Sequence, residues 1–149
     1  MNIRKLGHYS IRTGDLEASR RFYTAILGLH EGYRPPFRFP GIWLYRGGDK
    51  ADFGIVHIIG VDRDDPQALA DYLGDRDEGA LTGTGSVDHV AFLATGLAAM
   101  HARLREAAMP FTERTVPSLA LHQVFVQDPS GVTIELNFPA SEAPAQASL

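Results

Sequence analysis

Three histidines and one glutamate occupy strand-like stretches at positions that recur along the chain. His8 and His89 each interrupt a short apolar run, and setting one on the other aligns the residues that follow. Such an offset indicates a repeated unit. His57 in the first half and Glu135 in the second lie in matching hairpin strands of the two halves. Imidazole and carboxylate ligands suit Zn, Fe, Mn, Co or Ni, and two histidines with one carboxylate are typical of non-haem iron oxygenases.

Of these side chains, Glu135 is the most costly to place beside a core. It lies between Ile134 and Leu136 in an alternating strand, where an unpaired carboxylate next to a core is costly. A partner or a bound cation removes that cost. A metal site with open positions can bind two oxygens of a substrate and act as a Lewis acid.

The order of predicted elements explains how distant residues could meet. Each half of the chain is predicted to fold as β-α-β-β-β, which places the protein in the α+β class with paired modules. The first half predicts a helix at 16–27 and strands at 3–12, 29–34, 41–46 and 53–60. The second predicts a helix at 97–108 and strands at 86–93, 111–115, 121–127 and 132–138. Neither sheet has a second layer of its own, and two such sheets together would enclose a cleft.

The domain organisation follows from the same pattern. We expect a first module at 1–61, a linker with a short helix at 62–85, a second module at 86–138 and a frayed tail at 139–149. The linker is predicted from its polar, Gly-rich composition, and its helix begins at Asp65-Pro66. Asp128-Pro129-Ser130-Gly131 is predicted to be a structural turn.

Composition excludes several classes of function. The 149 residues carry a net charge of −4 and no basic run, which argues against a nucleic-acid partner. The chain has no cysteine, so disulfides and thiolate ligands are excluded. No apolar stretch is long enough for a bilayer and no N-terminal apolar signal region is present. A cytoplasmic protein without a membrane partner is the expectation.

Five stretches resemble the vicinal oxygen chelate superfamily, the group of glyoxalases, bleomycin resistance proteins and extradiol dioxygenases. The resemblance extends to about Pro139. The stretches are Leu6-Gly7-His8-Tyr9, Asp15-Leu16-Glu17, Arg21-Phe22-Tyr23-Thr24-Ala25-Ile26-Leu27-Gly28-Leu29, Asp88-His89-Val90-Ala91-Phe92 and Val126-Gln127-Asp128-Pro129-Ser130-Gly131-Val132-Thr133-Ile134-Glu135-Leu136. The resemblance implies two mixed sheets that curl around a divalent metal, and homodimers in which two chains build each cleft.

By this resemblance His8, His89 and Glu135 match the usual metal ligands and His57 matches the fourth position. Glyoxalase-like members often carry Glu or Gln at that position, so His57 is a departure. Fe(II) or Mn(II) is the favoured ion, with Zn(II), Ni(II) or Co(II) as alternatives. The expected partner is a small substrate that chelates the ion through adjacent oxygens.

Candidate substrate-binding residues cluster around the first hairpin. We predict an aromatic and cationic wall for an anionic aromatic substrate, formed by Arg34, Phe37, Arg38, Phe39 and Trp43. Tyr45 and Phe125 are predicted as further contacts. The alternative is a loop that packs on its own rings. His30 and His101 are expected to face solvent.

Three functions remain open from the sequence. The first is a metal-dependent oxygenase of the dioxygenase type, although ring-cleaving relatives tend to carry a tyrosine acid where this chain has Phe125; His122 or Tyr45 is the candidate substitute. The second is a glyoxalase I-like lyase or an epimerase in which Glu135 moves the proton. The third is a non-enzymatic drug-binding protein.

Overall fold

A computed structural model describes residues 6–47, 54–74, 81–83 and 88–143. The chain divides into two compact units, Met1–Thr82 and Gly83–Leu149. Each unit holds one four-stranded mixed sheet, and the two sheets have equivalent strand orders, β1-β4-β3-β2 and β5-β8-β7-β6. The predicted α+β fold of paired βαβββ modules is therefore confirmed.

The first unit contains four strands and two helices. The strands are β1 (Tyr9–Thr13), β2 (His30–Gly32), β3 (Gly41–Tyr45) and β4 (Val56–Gly60), and the helices are α1 (Leu16–Arg21) and α2 (Pro66–Leu73). β1 pairs with β4 in parallel, whereas β3 pairs antiparallel with both β4 and β2. Helix α1 connects β1 to β2, which lie at opposite edges of the sheet, so the chain has to cross over the sheet between them.

The first unit packs α1 and its continuation against one face of the sheet. The Asp15 side chain accepts from the Ala18 N–H at 2.8 Å and so caps α1. A π-helical turn, Phe22–Ile26, extends this helix and buries Tyr23 completely. Gly28 ends the segment at φ +75°, a conformation that suits glycine. Side chains alternate along β1, so His8 and Ser10 are directed to the opposite face.

Helix α2 packs on residues of the loop before β3. Ala68 and Leu69 are buried together with Phe39 and Ile59. The Asp65 side chain caps α2 by accepting from the Ala68 N–H at 3.2 Å. The predicted short helix thus exists, and its apolar face belongs to the core of the first unit.

The second unit repeats the plan with longer strands. It contains β5 (Val90–Leu93), α3 (Leu97–Glu106), β6 (Phe111–Val116), β7 (Leu121–Gln127) and β8 (Thr133–Pro139). Leu97, Met100 and Leu104 bury one side of α3, and Ile134 and Phe138 are among the fully buried residues of β8. The turn before β8 closes on Asp128, whose buried carboxylate accepts two backbone N–H groups.

The segment after β8 is more ordered than the sequence suggested. Ala140–Glu142 form a 3₁₀ turn. The Glu142 carboxylate accepts from the N–H groups of Gly96 and Leu97, both at 2.7 Å. These groups lie at the start of α3, where backbone donors lack helical partners and a negative charge is favourable. The expected fraying is wrong for these three residues, and 144–149 lie outside the described residues.

Several element boundaries differ from those expected. β1 begins at Tyr9, so residues 6–8 of the strand expected at 3–12 are irregular, and the α-helical part of α1 ends at Arg21 rather than at residue 27. Residues 3–5, most of the connection between the strands expected at 41–46 and 53–60, most of 75–85 and the start of the strand expected at 86 lie outside the described residues. Within the described part of the chain, no helix is both long and apolar enough to cross a bilayer.

Candidate functional site

The strand register places the candidate metal ligands at equivalent positions of the two units. His57 in β4 pairs with Ser10 of β1, and Glu135 in β8 pairs with Ala91 of β5. His8 and His89 each precede those edge-strand partners by two residues and therefore share their face. Each unit thus brings two of the four predicted ligands to the same side of its sheet.

The pair in the second unit has its donor atoms close together. His89 Nε2 lies 3.2 Å from Glu135 Oε2. Two ligands that bind one ion at about 2.1 Å each stand roughly 3 to 3.4 Å apart. His89 Nδ1 lies 2.6 Å from the Asp88 carboxylate, so an Nδ1–H donor leaves the Nε2 lone pair for a cation, as is common for metal-binding histidines. The donor set and its spacing fit a divalent metal.

A polar network fixes the orientation of Glu135. Its Oε1 accepts from Gln123 Nε2 at 2.9 Å and from Asn137 Nδ2 at 2.6 Å. Gln123 also donates to Asn137 Oδ1 at 3.0 Å and accepts from Arg114 Nε at 2.7 Å. The carboxylate is 6% exposed, yet its first oxygen is satisfied and its second points towards His89. Such supporting bonds typically orient a metal ligand.

The pair in the first unit is arranged as a stack. The His57 ring lies between Trp43 and His8, with centroid distances of 3.9 Å on both sides. His57 Nε2 is buried and has no hydrogen-bond partner among the described residues. An unsatisfied buried nitrogen is uncommon and is a candidate ligand atom. The imidazole rings of His8 and His57 lie nearly parallel, with an interplanar angle of 18°.

The environment of His57 favours its neutral form. Desolvation by burial, followed by the nearby His8, lowers the pKa of His57 to about 4, while the backbone of Gly54 acts in the opposite direction. Its ordinary value is 6.5. Neutral imidazole is the form that binds metals, so His57 needs no deprotonation near neutral pH.

The same lowered pKa makes folding of the metal-free protein depend on pH. The unfolded chain takes up a proton at His57 below about pH 6.5, and the folded chain does so only near pH 4, so stability falls as pH drops through this window. Between pH 7.5 and 5 we expect His57 to remove about 2 kcal/mol from the free energy of unfolding. Urea unfolding in chelator, compared between wild type and His57→Gln, measures this difference.

A matched control is His30→Gln, because His30 lies exposed on the edge strand β2. This variant should retain the wild-type dependence on pH. If His57→Gln also retains it, His57 titrates normally in the folded protein.

A cavity of about 490 Å³ opens beside this stack, entirely within the first unit. His8, Trp43 and His57 line it together with Arg34, Phe37, Phe39 and Tyr72. The Arg34 guanidinium lies 5.0 Å from the ring centroids of both Phe37 and Phe39 and donates to the Phe39 carbonyl at 2.7 Å. The cavity therefore combines aromatic walls with the positive charges of two arginines, Arg12 and Arg34.

Other predicted contacts lie elsewhere. Arg38 is directed to α2, where its guanidinium lies 3.6 Å from both Asp65 and Asp71, so Arg34 rather than Arg38 supplies the cation of the wall. The Tyr45 hydroxyl donates to the Tyr33 carbonyl at 2.6 Å. Phe125 faces Glu135 across the β7–β8 pair.

The two remaining histidines of the second unit lie on the other face of its sheet. His122 is adjacent to Gln123 in β7, so its side chain points away from Glu135. It approaches Glu113 and Thr115 instead. His101 is 8% exposed and contacts the same Glu113. The expectation that His101 faces solvent is therefore wrong, because its position on α3 directs the side chain towards the sheet.

Some residues of the site did not stand out in the sequence. Gln123 and Asn137 are polar side chains on the Glu135 face of β7 and β8, and alternation with an apolar face in β8 is the signal that marks Asn137. Tyr72 reaches the cavity from α2, and no pattern in the sequence marks it as part of the site.

Comparisons with known proteins agree with this architecture. The profile described as the Glyoxalase/Bleomycin resistance protein/Dioxygenase superfamily matches residues 5–136. A glyoxalase/bleomycin resistance protein/dioxygenase domain from Frankia sp. EAN1pec is 20% identical, with a TM-score of 0.64 and coverage of 95% of this chain and 96% of that one. No protein with a curated description matches the chain in sequence.

Two further solved structures represent different activities on the same fold. An antibiotic binding protein from Streptomyces sp. CB03234 is 20% identical, with a TM-score of 0.60 and coverage of 93% and 98% of the two chains. The trypanothione-dependent glyoxalase I of Leishmania major is 21% identical, with a TM-score of 0.60 and coverage of 93% and 89%. The repeated modules and the matching profile together show that this chain belongs to the glyoxalase/bleomycin resistance protein/dioxygenase superfamily.

Proposed function

We propose that this protein is a divalent-metal-dependent enzyme of the oxygenase type that binds a small aromatic anion through two adjacent oxygens. The ligands that we propose are the four residues predicted from the sequence, His8, His57, His89 and Glu135. The observation that carries the proposal is the 3.2 Å approach of His89 Nε2 to Glu135 Oε2, with the other carboxylate oxygen held in place.

The bound ion supplies Lewis acidity towards substrate oxygens. Three neutral imidazoles and one carboxylate neutralise only one of its two charges, which favours an ionised oxygen ligand. The chain's own contribution is to hold the donors in place. Gln123 and Asn137 both donate to Glu135, which keeps the carboxylate fixed and suits a permanent ligand better than a base that moves a proton.

The cavity of the first unit indicates the substrate class. Phe37, Phe39 and Tyr72 offer ring faces, and Arg34 offers a positive charge beside them. Burial lowers the pKa of Arg34 from its ordinary value, although Tyr72 opposes this effect. Arginine remains charged in proteins, so an aromatic compound with an anionic group matches this wall.

No general acid is included in the proposal. Phe125, which faces Glu135, has no proton to give, and His122 is turned to the opposite face. Tyr45 uses its hydroxyl to donate to Tyr33. Ring cleavage that depends on a tyrosine acid near the glutamate therefore finds no such group among these residues.

Oxygen consumption tests this function directly. Protein loaded with Fe(II) under anaerobic conditions and then given air and catechol-type carboxylates should consume oxygen in step with substrate loss, and chelator should stop both. Isomerisation of a hemithioacetal with Ni(II) or Zn(II), without oxygen uptake, would instead assign the protein to the lyase class.

A non-enzymatic binding protein is the second candidate function. The aromatic cavity favours this function, because the walls of the cavity lie within one unit and include residues that are not candidate ligands, such as Phe37 and Tyr72. The similar fold of an antibiotic binding protein is consistent with this use. Binding of aromatic anions that chelator leaves unchanged, with no turnover under any metal, would support this candidate over the enzyme.

A further inference from the structure

Three side chains meet on the face of the second sheet that carries α3, away from Glu135. His101 comes from α3, Glu113 from β6 and His122 from β7. One potential ligand atom from each lies within 4.8 Å of the others. His101 and His122 are 8% and 6% exposed, whereas Glu113 is exposed and leaves the cluster open to solvent.

Both imidazoles converge on the same carboxylate oxygen. His101 Nε2 lies 2.6 Å and His122 Nε2 lies 3.3 Å from Glu113 Oε2. Desolvation by burial raises the pKa of Glu113, but hydrogen bonds from the two histidines outweigh it and the net effect is a lowered pKa. The carboxylate is therefore ionised near neutral pH.

The other nitrogen of His122 also has a fixed partner. His122 Nδ1 lies 2.9 Å from the Thr115 hydroxyl, and the two residues are direct neighbours across the β6–β7 pair. With an ion bound, Nδ1 would donate to the Thr115 hydroxyl, and the Nε2 lone pair would face the ion in place of the hydrogen bond to Glu113. A hydrogen bond on the second ring nitrogen is the usual support of a metal-binding histidine.

The spacing suits a small divalent ion. Ligands that bind Zn²⁺ at about 2.0–2.1 Å in a tetrahedron stand roughly 3.3 Å apart. The separation of His122 and Glu113 already has this value, and that of His101 and Glu113 would widen by about 0.7 Å to reach it. Two imidazoles and a carboxylate also form a three-ligand zinc set that leaves the fourth position to water.

We propose that His101, Glu113 and His122 form a second metal site, specific for Zn²⁺ or a similar transition metal ion, that ties α3 to the β6–β7 hairpin. It is distinct from the site at Glu135, because His122 and Gln123 are consecutive in β7 and project to opposite faces. Ligands from a helix and two strands cross-link the layers of the unit, so the ion stabilises the folded state.

Zinc binding by the full chain tests this proposal. The background variant is Glu135→Gln, so that zinc at the other candidate site does not mask the result. Equilibrium dialysis should give one zinc per chain, and zinc should raise the thermal midpoint. Adding Glu113→Gln should abolish both effects, and this substitution at an exposed side chain leaves the core intact.

Two further variants separate ligation from general surface charge. Thr115→Val keeps the shape but removes the support of His122, and should weaken zinc binding 10- to 100-fold. Glu106→Gln, an exposed residue at the end of α3, should leave binding unchanged. Equal zinc affinity with and without Glu113→Gln in the Glu135→Gln background overturns the second site. This result does not bear on Glu135, which is already replaced in both proteins.

Discussion

Replacing Glu135 with glutamine is expected to lower the affinity for the proposed metal ion by more than about 100-fold, beyond the usual effect of losing a supporting residue. The amide oxygen can still accept from Gln123 and Asn137, so the fold should be retained. What is lost is the charged oxygen beside His89. Dialysis against buffered Fe(II) or Mn(II), in a Glu113→Gln background, measures the change.

Graded controls make this result specific. Gln123→Leu removes the bonds of Gln123 to the carboxylate, Asn137 and Arg114 but no candidate ligand, and should weaken metal binding about 10- to 100-fold. His30→Gln changes an exposed histidine on an edge strand and should have no effect. If Glu135→Gln and His30→Gln retain equal amounts of metal, Glu135 is not a ligand and the enzymatic function proposed above is wrong.

Removing the Asp128 carboxylate is expected to have the largest effect on stability. Its Oδ1 accepts from the N–H groups of Ser130 at 2.9 Å and Val132 at 2.7 Å, both in buried surroundings. Asp128→Ala leaves both donors without an acceptor, at about 1–3 kcal/mol each. The free energy of unfolding of the second unit should therefore fall by roughly 2–6 kcal/mol, as measured by urea unfolding.

Two substitutions bracket this prediction. Asp128→Asn keeps an acceptor oxygen and should cost less, since only the charge is lost. Gln127→Ala changes the exposed neighbour at the end of β7 and should be nearly neutral. Unfolding of Asp128→Ala at the same urea concentration as Gln127→Ala would show that the turn does not depend on the carboxylate.

Alternation and repetition in the sequence are sufficient to predict the fold. The strand that carries Glu135 has a period-two pattern, and the repeated order of elements places His57 in the equivalent strand of the first half. Asp15 and Gly28 bound the first helical segment because capping chemistry is local. Such features depend on neighbouring residues and are therefore visible in sequence.

The details of the site depend on tertiary contacts that leave no local pattern. Arg34 and Arg38 have the same chemistry in one loop, but only Arg34 lines the cavity, because Asp65 and Asp71 on α2 attract Arg38. His101 has the sequence context of an exposed helical residue, and Glu113 on a distant strand accounts for its burial. Contacts of this kind require the fold to be known.

Trp43 is the chain's only tryptophan, and it stacks on His57 with an interplanar angle of 2°. An indole in face-to-face contact with an imidazole is sensitive to any charge placed on that ring. The intrinsic fluorescence of the protein therefore comes from one side of the candidate metal site, without interference from other indoles. Emission spectra recorded during acidification or metal titration give a label-free optical record of what happens at His57.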